Sequence, residues 1–264
     1  GFICNLNGIK SNDIIHKAWD ILIKLEHRGA VSSDGRTGDG AGILFDIPHD
    51  FFKKVCEFEI PEAREYAVGM VFMPKSSNQV KFCKTTFEKE IKNQNLSILG
   101  WRDVPTDVSN LGQIAAEKEP TVKQVFVGKN GQDLTEQQFN AKLFAARKIA
   151  EHAIIKSKIS EGHQFYFASC STTTIIYKGL LMPEDISRYY TDLADSDLVT
   201  RLALVHQRFC TNTFPSWELA QPFRYMCHNG EINTLRGNIS RMRAREELMK
   251  SDVFGEDIKK LFPI

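Results

Sequence analysis

The sequence predicts an α+β fold in which helices lie outside mixed or antiparallel sheets. Residues 66–128 have the pattern strand, helix, strand, strand, and residues 165–177 are rich in β-branched and aromatic side chains. A long amphipathic helix is predicted between these two parts of the chain. Because strands and helices do not alternate one by one, the pattern does not favour a parallel sheet built from crossover helices.

The first predicted elements are a helix, a loop and a strand. Apolar residues recur at helical spacing over residues 13–26, behind a candidate cap at 11–13. Residues 29–42 are glycine-rich and are predicted to be a loop, and residues 42–48 form a predicted buried strand that a proline ends. The helix residues expected to face the core are Ile15, Trp19, Leu22 and Ile23.

The middle of the chain, at about 66–128, is predicted to be a small α+β insertion on the main sheet. Its expected strands cover 66–73, 96–104 and 121–128, and its expected helix covers 78–93.

The remaining elements begin with the long helix, which a capping-box-like Thr135-Glu136-Gln137-Gln138 opens and which reaches about residue 158. A hairpin is expected within 165–177, strands at 202–208 and 223–228, and a last helix at 234–250. The long helix is expected to bury Phe139, Leu143, Ile149, Ala153 and Ile154.

Composition excludes several classes of function. The formal net charge of +1 gives no bulk attraction to nucleic acid or to an anionic membrane. No apolar run approaches the roughly 18 residues that span a bilayer. The six cysteines form no CxxC pair and no metal-ligand spacing with histidine, so no metal site is predicted. Reduced thiols are typical of a cytoplasmic protein, or of a plastid one if the source is a photosynthetic eukaryote.

Three segments concentrate glycine, asparagine and arginine: residues 27–42, 206–217 and 228–234. Each has a structural interpretation. The first is a surface turn or a phosphate-binding loop, although it lacks both the GxxxxGK[ST] and the GxGxxG spacing. In the third, Asn-Gly is a strong hairpin-turn signal. Arg208, in the second, is a candidate structural ion-pair partner.

Taken together, the motifs HRGAVSSDGRTGDGAG, RFCTNTFPSW and HNGEINTLRGN resemble the class II, N-terminal-nucleophile glutamine amidotransferases. Among these, the Gly-Asp-Gly-Ala-Gly and TNTFPSW runs are similar to the glutamate synthases. The resemblance extends along the whole chain, 1–264. It implies a four-layer αββα sandwich with two mainly antiparallel sheets. It also implies hydrolysis of L-glutamine to glutamate and ammonia, with the ammonia passed to 2-oxoglutarate.

The resemblance assigns a role to each candidate site residue. A cysteine at the first position attacks the glutamine carboxamide, and its α-amine, with a pKa of about 7.7–8.0, acts as the base. The Asn229 side chain and the Gly230 N–H then stabilise the oxyanion, and glycine suits a position of unusual φ. Arg208 binds the substrate α-carboxylate through its guanidinium fork.

Three further residues complete the implied site. Thr211 and His228 line the substrate pocket, and Arg28 lies beside the nucleophile, where its positive charge favours thiolate. Asp34 and Asp39 are interpreted as residues that structure the loop.

The chain departs from the family pattern at both ends. Family members begin Cys-Gly-(Val or Ile)-Gly-Phe, whereas this chain begins Gly1-Phe2. The nucleophile is therefore expected just before Gly1, because the nitrogen of Cys4 is in a peptide bond and supplies no base. The residue that binds the substrate α-ammonium is expected beyond Ile264, so the chain is interpreted as a partial domain, inactive as it stands.

The resemblance implies no cofactor in this domain. FMN, an iron–sulfur cluster and the electron donor, NAD(P)H or ferredoxin, belong to other regions of the parent enzyme. The expected partners are therefore the remaining synthase domains and a reductase subunit or ferredoxin.

Two alternatives remain open from the residues alone. One is a thiol hydrolase that uses an internal cysteine, either Cys210 beside His206 or Cys227 next to His228. The other is an amino-acid-binding or regulatory module without catalysis, in which the middle α+β segment is the sensor.

Overall fold

The computed structural model describes residues 1–207, 215–230 and 233–264, without the side chains of Arg28 and Glu256. Within these residues the strands are β1 (Phe2–Cys4), β2 (Ala41–Asp46), β3 (Tyr66–Met73), β4 (Ser97–Asp103), β5 (Thr121–Gly128), β6 (Tyr166–Ser171), β7 (Thr174–Gly179) and β8 (Leu202–Gln207). The α-helices are α1 (Asp13–Lys24), α2 (His49–Val55), α3 (Ser77–Asn93), α4 (Gln113–Glu117), α5 (Glu136–Ser157), α6 (Ile186–Tyr189) and α7 (Leu235–Glu246).

The strands form two antiparallel sheets. The first has the order β1-β8-β2-β7, and the second has the order β4-β5-β3-β6. Their facing sides share one hydrophobic core, to which the first sheet contributes Phe45 and Tyr177 and the second contributes Phe72 and Phe126. The predicted α+β class and the sandwich of facing sheets are both confirmed.

Helices cover the outer faces of the sheets. Helix α1 packs on the first sheet against β8. Helices α3 and α5 pack on the second sheet around a separate core. Both faces of strand β3 are buried, and this explains why the strand is entirely apolar. Successive side chains point to opposite faces. Val68, Met70 and Phe72 lie in the core between the sheets, and Val71 and Met73 lie in the core under the helices. The layers are therefore helix, sheet, sheet and helix, as the resemblance implied.

The start of α5 has the predicted capping box. The Thr135 hydroxyl accepts a hydrogen bond from the Gln138 N–H at 3.2 Å, and the Gln138 side chain accepts one from the Thr135 N–H at 3.0 Å. Two backbone donors that a helix start leaves without partners are thereby satisfied. Phe139, Leu143 and Ile154 are buried as predicted, whereas Ile149 and Ala153 are only half-buried.

Helix α1 differs from the prediction in its details. Ile15 and Leu22 are buried, but Ile23 is 47% exposed because the buried stripe continues through Ile14 and Ala18 instead. The candidate cap Asn12 makes no capping hydrogen bond. Its Nδ2 donates to two distant backbone carbonyls instead, at 3.3 and 2.8 Å.

The interpretation of 66–128 as an insertion is wrong. Strands β3, β4 and β5 are three of the four strands of the second sheet, and their inner faces form half of the core between the sheets. The segment is therefore an integral layer of the sandwich. Helices α2 and α4, which the sequence analysis missed, are too short at 7 and 5 residues to show a helical period.

Two further predictions about the second half of the chain are wrong. The expected hairpin at 165–177 does not form, because β6 belongs to the second sheet and β7 to the first, so the chain crosses between layers there. Residues 223–228 do not form a strand. Phe223 and Met226 instead exchange backbone hydrogen bonds at 2.8 and 3.3 Å in a tight turn. Among the described helices, none has the combination of length and apolarity that crossing a membrane requires.

Candidate functional site

A cavity of about 290 Å³ lies where the N-terminus, the end of β8 and the 227–229 segment meet. This volume is at the lower end of the roughly 300–1,000 Å³ of small-molecule sites. The cavity therefore suits a ligand of the size of an amino acid. Its lining residues are Gly1, Leu22, Leu25, Val205, His206, Gln207, Cys227, His228 and Asn229.

Strand pairing holds the N-terminus at this cavity. The Gly1 nitrogen donates to the Val205 carbonyl at 2.7 Å, and the Val205 N–H donates to the Gly1 carbonyl at 2.8 Å. This exchange continues the antiparallel register of β1 on β8, in which Phe2 lies opposite Leu204. Gly1 is therefore fixed by main-chain bonds beside the cavity.

His206 of β8 supplies a half-buried imidazole to the cavity wall. Burial lowers its pKa below the ordinary value, and a hydrogen bond with the His228 backbone opposes this effect. Its Nδ1 is buried and has no hydrogen-bond partner within the described residues. Burial therefore favours the neutral form of the ring, and one of its nitrogens is enclosed in the cavity wall.

The Gln221 side chain holds the segment that carries Asn229 and Gly230. Its Oε1 accepts from the His228 N–H at 2.8 Å, and its Nε2 donates to the His228 carbonyl at 3.0 Å. Gln221 itself is 3% exposed, and both bonds are part-buried. His228 is thereby fixed at its main chain, and Asn229 follows it into the cavity wall.

The His228 ring faces Gly230. Its Nδ1 lies 3.3 Å from the Gly230 N–H, which donates to it, and 3.0 Å from the Gly230 carbonyl oxygen. An unprotonated Nδ1 therefore accepts a hydrogen bond from the Gly230 N–H. A protonated Nδ1 instead donates to the Gly230 carbonyl and leaves that N–H without this partner. Gly230 is not among the described glycines with a positive φ.

The structure describes only part of the predicted site. It brings Asn229 and His228 to the same cavity as Gly1, and Gly230 follows them directly. Arg208, Thr211 and Cys210 lie outside the described residues, as does the Arg28 side chain. The backbone of Arg28 belongs to a 3-10 helix, Glu26–Arg28, that follows the cavity-lining end of α1.

The glycine-rich loop is structured by Asp34, as the sequence analysis interpreted. Its carboxylate accepts hydrogen bonds from the Thr37 hydroxyl at 2.5 Å, the Thr37 N–H at 2.8 Å and the Arg36 N–H at 3.1 Å. A fourth bond at 3.1 Å comes from the N–H of Ile114 at the start of α4, far away in sequence. The loop is therefore tied to another element of the fold.

The other described thiols differ from Cys227, which lines the cavity. Burial raises the pKa of Cys56 to about 11 and that of Cys83 and Cys170 to about 12. Such thiols are poor nucleophiles at neutral pH, and none of the three lines this cavity. No group of three metal-ligating side chains occurs within the described ranges.

Sequence reasoning missed several residues of the site. Leu22 was interpreted only through its helical period, and Leu25 and Gln221 were not singled out. Their roles depend on partners distant in the chain, so no local pattern marks them. His206 was named only as the partner of a rival thiol.

Comparisons with known proteins identify the family of the chain. A family model for class-II glutamine amidotransferases matches residues 1–264. The chain is 46% identical over 265 residues to the glutamate synthase [NADPH] large chain of Bacillus subtilis, which covers 100% of this chain and 17% of that one. It is 44% identical over 277 residues to the glutamate synthase [NADH] of Saccharomyces cerevisiae, which covers 100% of this chain and 13% of that one.

A further relative is the ferredoxin-dependent glutamate synthase of Pyropia yezoensis, at 39% identity over 267 residues, 100% of this chain and 17% of that one. The chain thus spans less than a fifth of the length of these curated relatives.

Proposed function

Because this chain belongs to the class II glutamine amidotransferases, we propose that it is the glutamine-hydrolysing part of a glutamate synthase. It converts L-glutamine to glutamate and ammonia, and the longer protein transfers the ammonia to 2-oxoglutarate. The observation that carries this proposal is the shared cavity of Gly1 and Asn229, since the family chemistry needs the N-terminus and the asparagine side by side.

The register of β1 leads from Gly1 towards the proposed nucleophile. Continued backwards from Phe2 opposite Leu204, the pairing brings the residue directly before Gly1 opposite His206, at the cavity. The family pattern Cys-Gly-(Val or Ile)-Gly-Phe puts the cysteine two residues further back. A cysteine that begins the mature chain just before this segment carries a free α-amine, whose pKa of about 7.7–8.0 suits proton transfer at neutral pH. None of the six cysteines of residues 1–264 has such an amine.

The proposed reaction has two steps. The cysteine sulfur forms a bond to the carboxamide carbon, its proton passes through the α-amine to the leaving nitrogen, and ammonia departs. Water then attacks the thioester, releases glutamate and restores the thiol. In both steps the Asn229 amide and the Gly230 N–H donate to the oxyanion, and this requires the Gly230 N–H to leave His228 Nδ1.

Substrate binding is assigned in the same way. The guanidinium of Arg208 holds the α-carboxylate, Thr211 and His228 line the pocket, and Arg28 supplies positive charge beside the thiolate. Gln207, which directly precedes Arg208, lines the cavity, and so does His228. This supports the assignment of Arg208 and His228 to the substrate pocket.

We assign no cofactor to this chain. FMN, an iron–sulfur cluster and electron donation from NAD(P)H or ferredoxin are proposed for the remaining domains of the longer protein and its reductase or ferredoxin partners. The names of the relatives specify NADPH, NADH or ferredoxin as the donor. We also propose a cytoplasmic location, or a plastid location if the source is a photosynthetic eukaryote. A relative from Arabidopsis thaliana is named chloroplastic/mitochondrial.

The test is glutamine hydrolysis by the full-length protein that carries the cysteine. Replacing that cysteine by serine abolishes ammonia release, and Asn229→Ala lowers turnover by roughly 100- to 1,000-fold. Cys227→Ala is the matched control and retains activity, because Cys227 shares the cavity but has no free α-amine. Residues 1–264 alone release no ammonia. Full activity of the serine variant, or loss of activity only in Cys227→Ala, contradicts the proposal.

A further inference from the structure

Lys178 is a lysine enclosed in the protein interior. It lies on β7 and is 0% exposed. Its ammonium lies 4.9 Å from the centre of the Tyr166 ring and 5.1 Å from that of Phe223. Its own carbonyl accepts a hydrogen bond from the Tyr190 hydroxyl at 2.7 Å, which anchors the main chain at this point of the strand.

The Lys178 Nζ donates to backbone carbonyls. It lies 2.8 Å from the Glu218 carbonyl oxygen and 2.6 Å from that of Ala220. Two charged groups act on it, Arg224, which disfavours its charge, and Glu218, which favours it. Burial is the larger influence and lowers the pKa of Lys178 to about 7. An apolar side chain at this position would avoid the cost of burying a charge. What the lysine adds, in comparison with such a side chain, is the pair of hydrogen bonds to the Glu218 and Ala220 carbonyls.

These carbonyls lead directly to the oxyanion donors. Ala220 precedes Gln221, whose side chain holds both backbone groups of His228. A second contact runs through Phe223, whose ring faces the Lys178 ammonium on one side and stacks at 6.3 Å on the His228 ring. Lys178 therefore supports the residue before Asn229 by two routes, one polar and one aromatic.

We propose that Lys178 is a positioning residue for the Asn229–Gly230 corner, acting by fixing the 218–221 segment on which His228 depends. This inference rests on the proposed glutaminase function. Lys178 does not line the cavity, so its effect on the reaction is transmitted through Gln221 and His228. It acts on the step that needs the oxyanion donors and leaves thiolate formation unchanged.

The test uses the full-length protein with its N-terminal cysteine, once its glutaminase activity is established. Lys178→Met keeps the length of the side chain and removes its donors. We expect kcat to fall at least about tenfold, because small displacements of catalytic groups have effects of this size. The rate at which iodoacetamide alkylates the catalytic cysteine stays within about twofold, because thiolate formation does not depend on the oxyanion donors.

A double-mutant cycle separates positioning from general damage. If Lys178 acts through Asn229, adding Lys178→Met to Asn229→Ala lowers kcat by less than about threefold further, whereas independent effects multiply. Lys84→Met is the matched control: Lys84 is half-buried over the Trp101 ring at 4.8 Å on α3, and its loss leaves kcat unchanged. Lys178→Gln, which keeps a shorter donor, gives an intermediate kcat.

Each remaining outcome overturns the inference. An unchanged kcat in Lys178→Met rules out the positioning role. An equal fold-loss of kcat when Lys178→Met is introduced into the unsubstituted protein and into Asn229→Ala rules it out as well. If both Lys178 variants fail to fold while Lys84→Met folds, the lysine has a structural role only. Absence of activity in the unsubstituted full-length protein contradicts the proposed function itself, so the two failures are distinguishable.

Discussion

Gly42 and Gln221 lie so close together that a Cβ on the glycine would be 2.6 Å from the Gln221 carbonyl oxygen. The same Cβ would be 2.5 Å from the Cβ of Lys178. The nearby Gly40 has a φ of +113° and packs against Ala220. A Cβ placed on Gly40 would be 3.1 Å from the Ala220 Cβ. The end of the glycine-rich motif therefore creates the space in which residues 220–222 pack on β2.

This proximity predicts that Gly42→Ala displaces the 220–222 segment. The methyl group meets backbone that cannot rotate away, so the free energy of unfolding should fall by about 1–3 kcal/mol, and glutamine turnover should fall with it. Urea denaturation and an ammonia-release assay measure both effects.

Gly128→Ala is the control for this substitution. Gly128 also lies in a strand, but a Cβ there approaches only the side chains of Leu99 and Ser97, at 3.0 and 3.1 Å. Its effects on stability and turnover should be smaller. Equal effects of the two alanines contradict the proposed role of the space at Gly42.

The double hydrogen bond from Gln221 to His228 gives a second prediction. Gln221→Leu removes the partner of the part-buried N–H and carbonyl of His228, at about 0.5–1.5 kcal/mol for each lost hydrogen bond. We expect lower stability and at least a tenfold loss of kcat, because the segment before Asn229 is released. Thermal unfolding and steady-state kinetics of the full-length protein provide the measurements.

Gln79→Leu is a matched comparison for Gln221→Leu. The Gln79 side chain also accepts from a backbone N–H, that of Glu161 at 3.0 Å, and donates to Ser160 at 2.8 Å, but it lies on α3. It should lower stability without changing kcat. A loss of kcat as large as that of Gln221→Leu indicates a global effect and rejects the local one.

Asp34 predicts a pH dependence of stability. Four hydrogen bonds, led by that from the Thr37 hydroxyl, hold the pKa of Asp34 far below its usual range. A group whose pKa is depressed by folding stabilises the protein fully above its unfolded value of about 3.9 and loses that contribution as pH falls further. Asp34→Asn should therefore be less stable than the unsubstituted protein at pH 7, and the difference should shrink below about pH 4.

Asp107→Asn is the control for Asp34. The pKa of Asp107 is also lowered, mainly by hydrogen bonds from Ser109, but its bond is confined to one exposed turn. Its effect should be smaller because no distant element is tied, whereas Asp34 also holds Ile114. A difference between Asp34→Asn and the unsubstituted protein that stays constant from pH 7 to pH 3 contradicts the linkage.

Local patterns predicted the elements whose signals are local. The Thr135 capping box marks the start of α5, and the apolar strand at Tyr66–Met73 has the predicted bounds. The pairing of strands is not local, and this is why the crossing between sheets after β6 was read as a hairpin. The alternating and apolar residues of β6 and β7 are compatible with either partner sheet.

The candidate site divides in the same way. Asn229, His228 and Gly42 were found within motifs, whereas Gln221 and Lys178 act through contacts between segments far apart in the chain. Gln221 and Lys178 are polar residues at almost fully buried positions, and their burial depends on the packing of β7 and β2 against the 218–222 segment. Only the folded arrangement shows that they support the same corner.

A buried ion pair between the sheets carries the last prediction. Arg102 of β4 donates to both Asp192 carboxylate oxygens, at 2.8 and 2.7 Å, and the Tyr177 hydroxyl of β7 donates to the same carboxylate at 3.0 Å. The Gln124 side chain of β5 accepts from Arg102 and donates to Tyr177, both at 2.9 Å. The side chains of Arg102 and Asp192 are only 12% and 3% exposed, so the four groups depend on one another.

Asp192→Asn should lower the free energy of unfolding by about 3–5 kcal/mol, because it leaves the Arg102 charge buried without its counter-ion. The double variant Arg102→Met with Asp192→Leu removes both charges and should be more stable than either single variant, since an apolar pair avoids the desolvation of ions. Chemical denaturation of the three variants tests this. If the double variant is as unstable as the sum of the single losses, the two side chains do not act as a pair, and the link between the sheets depends on Tyr177 and Gln124 instead.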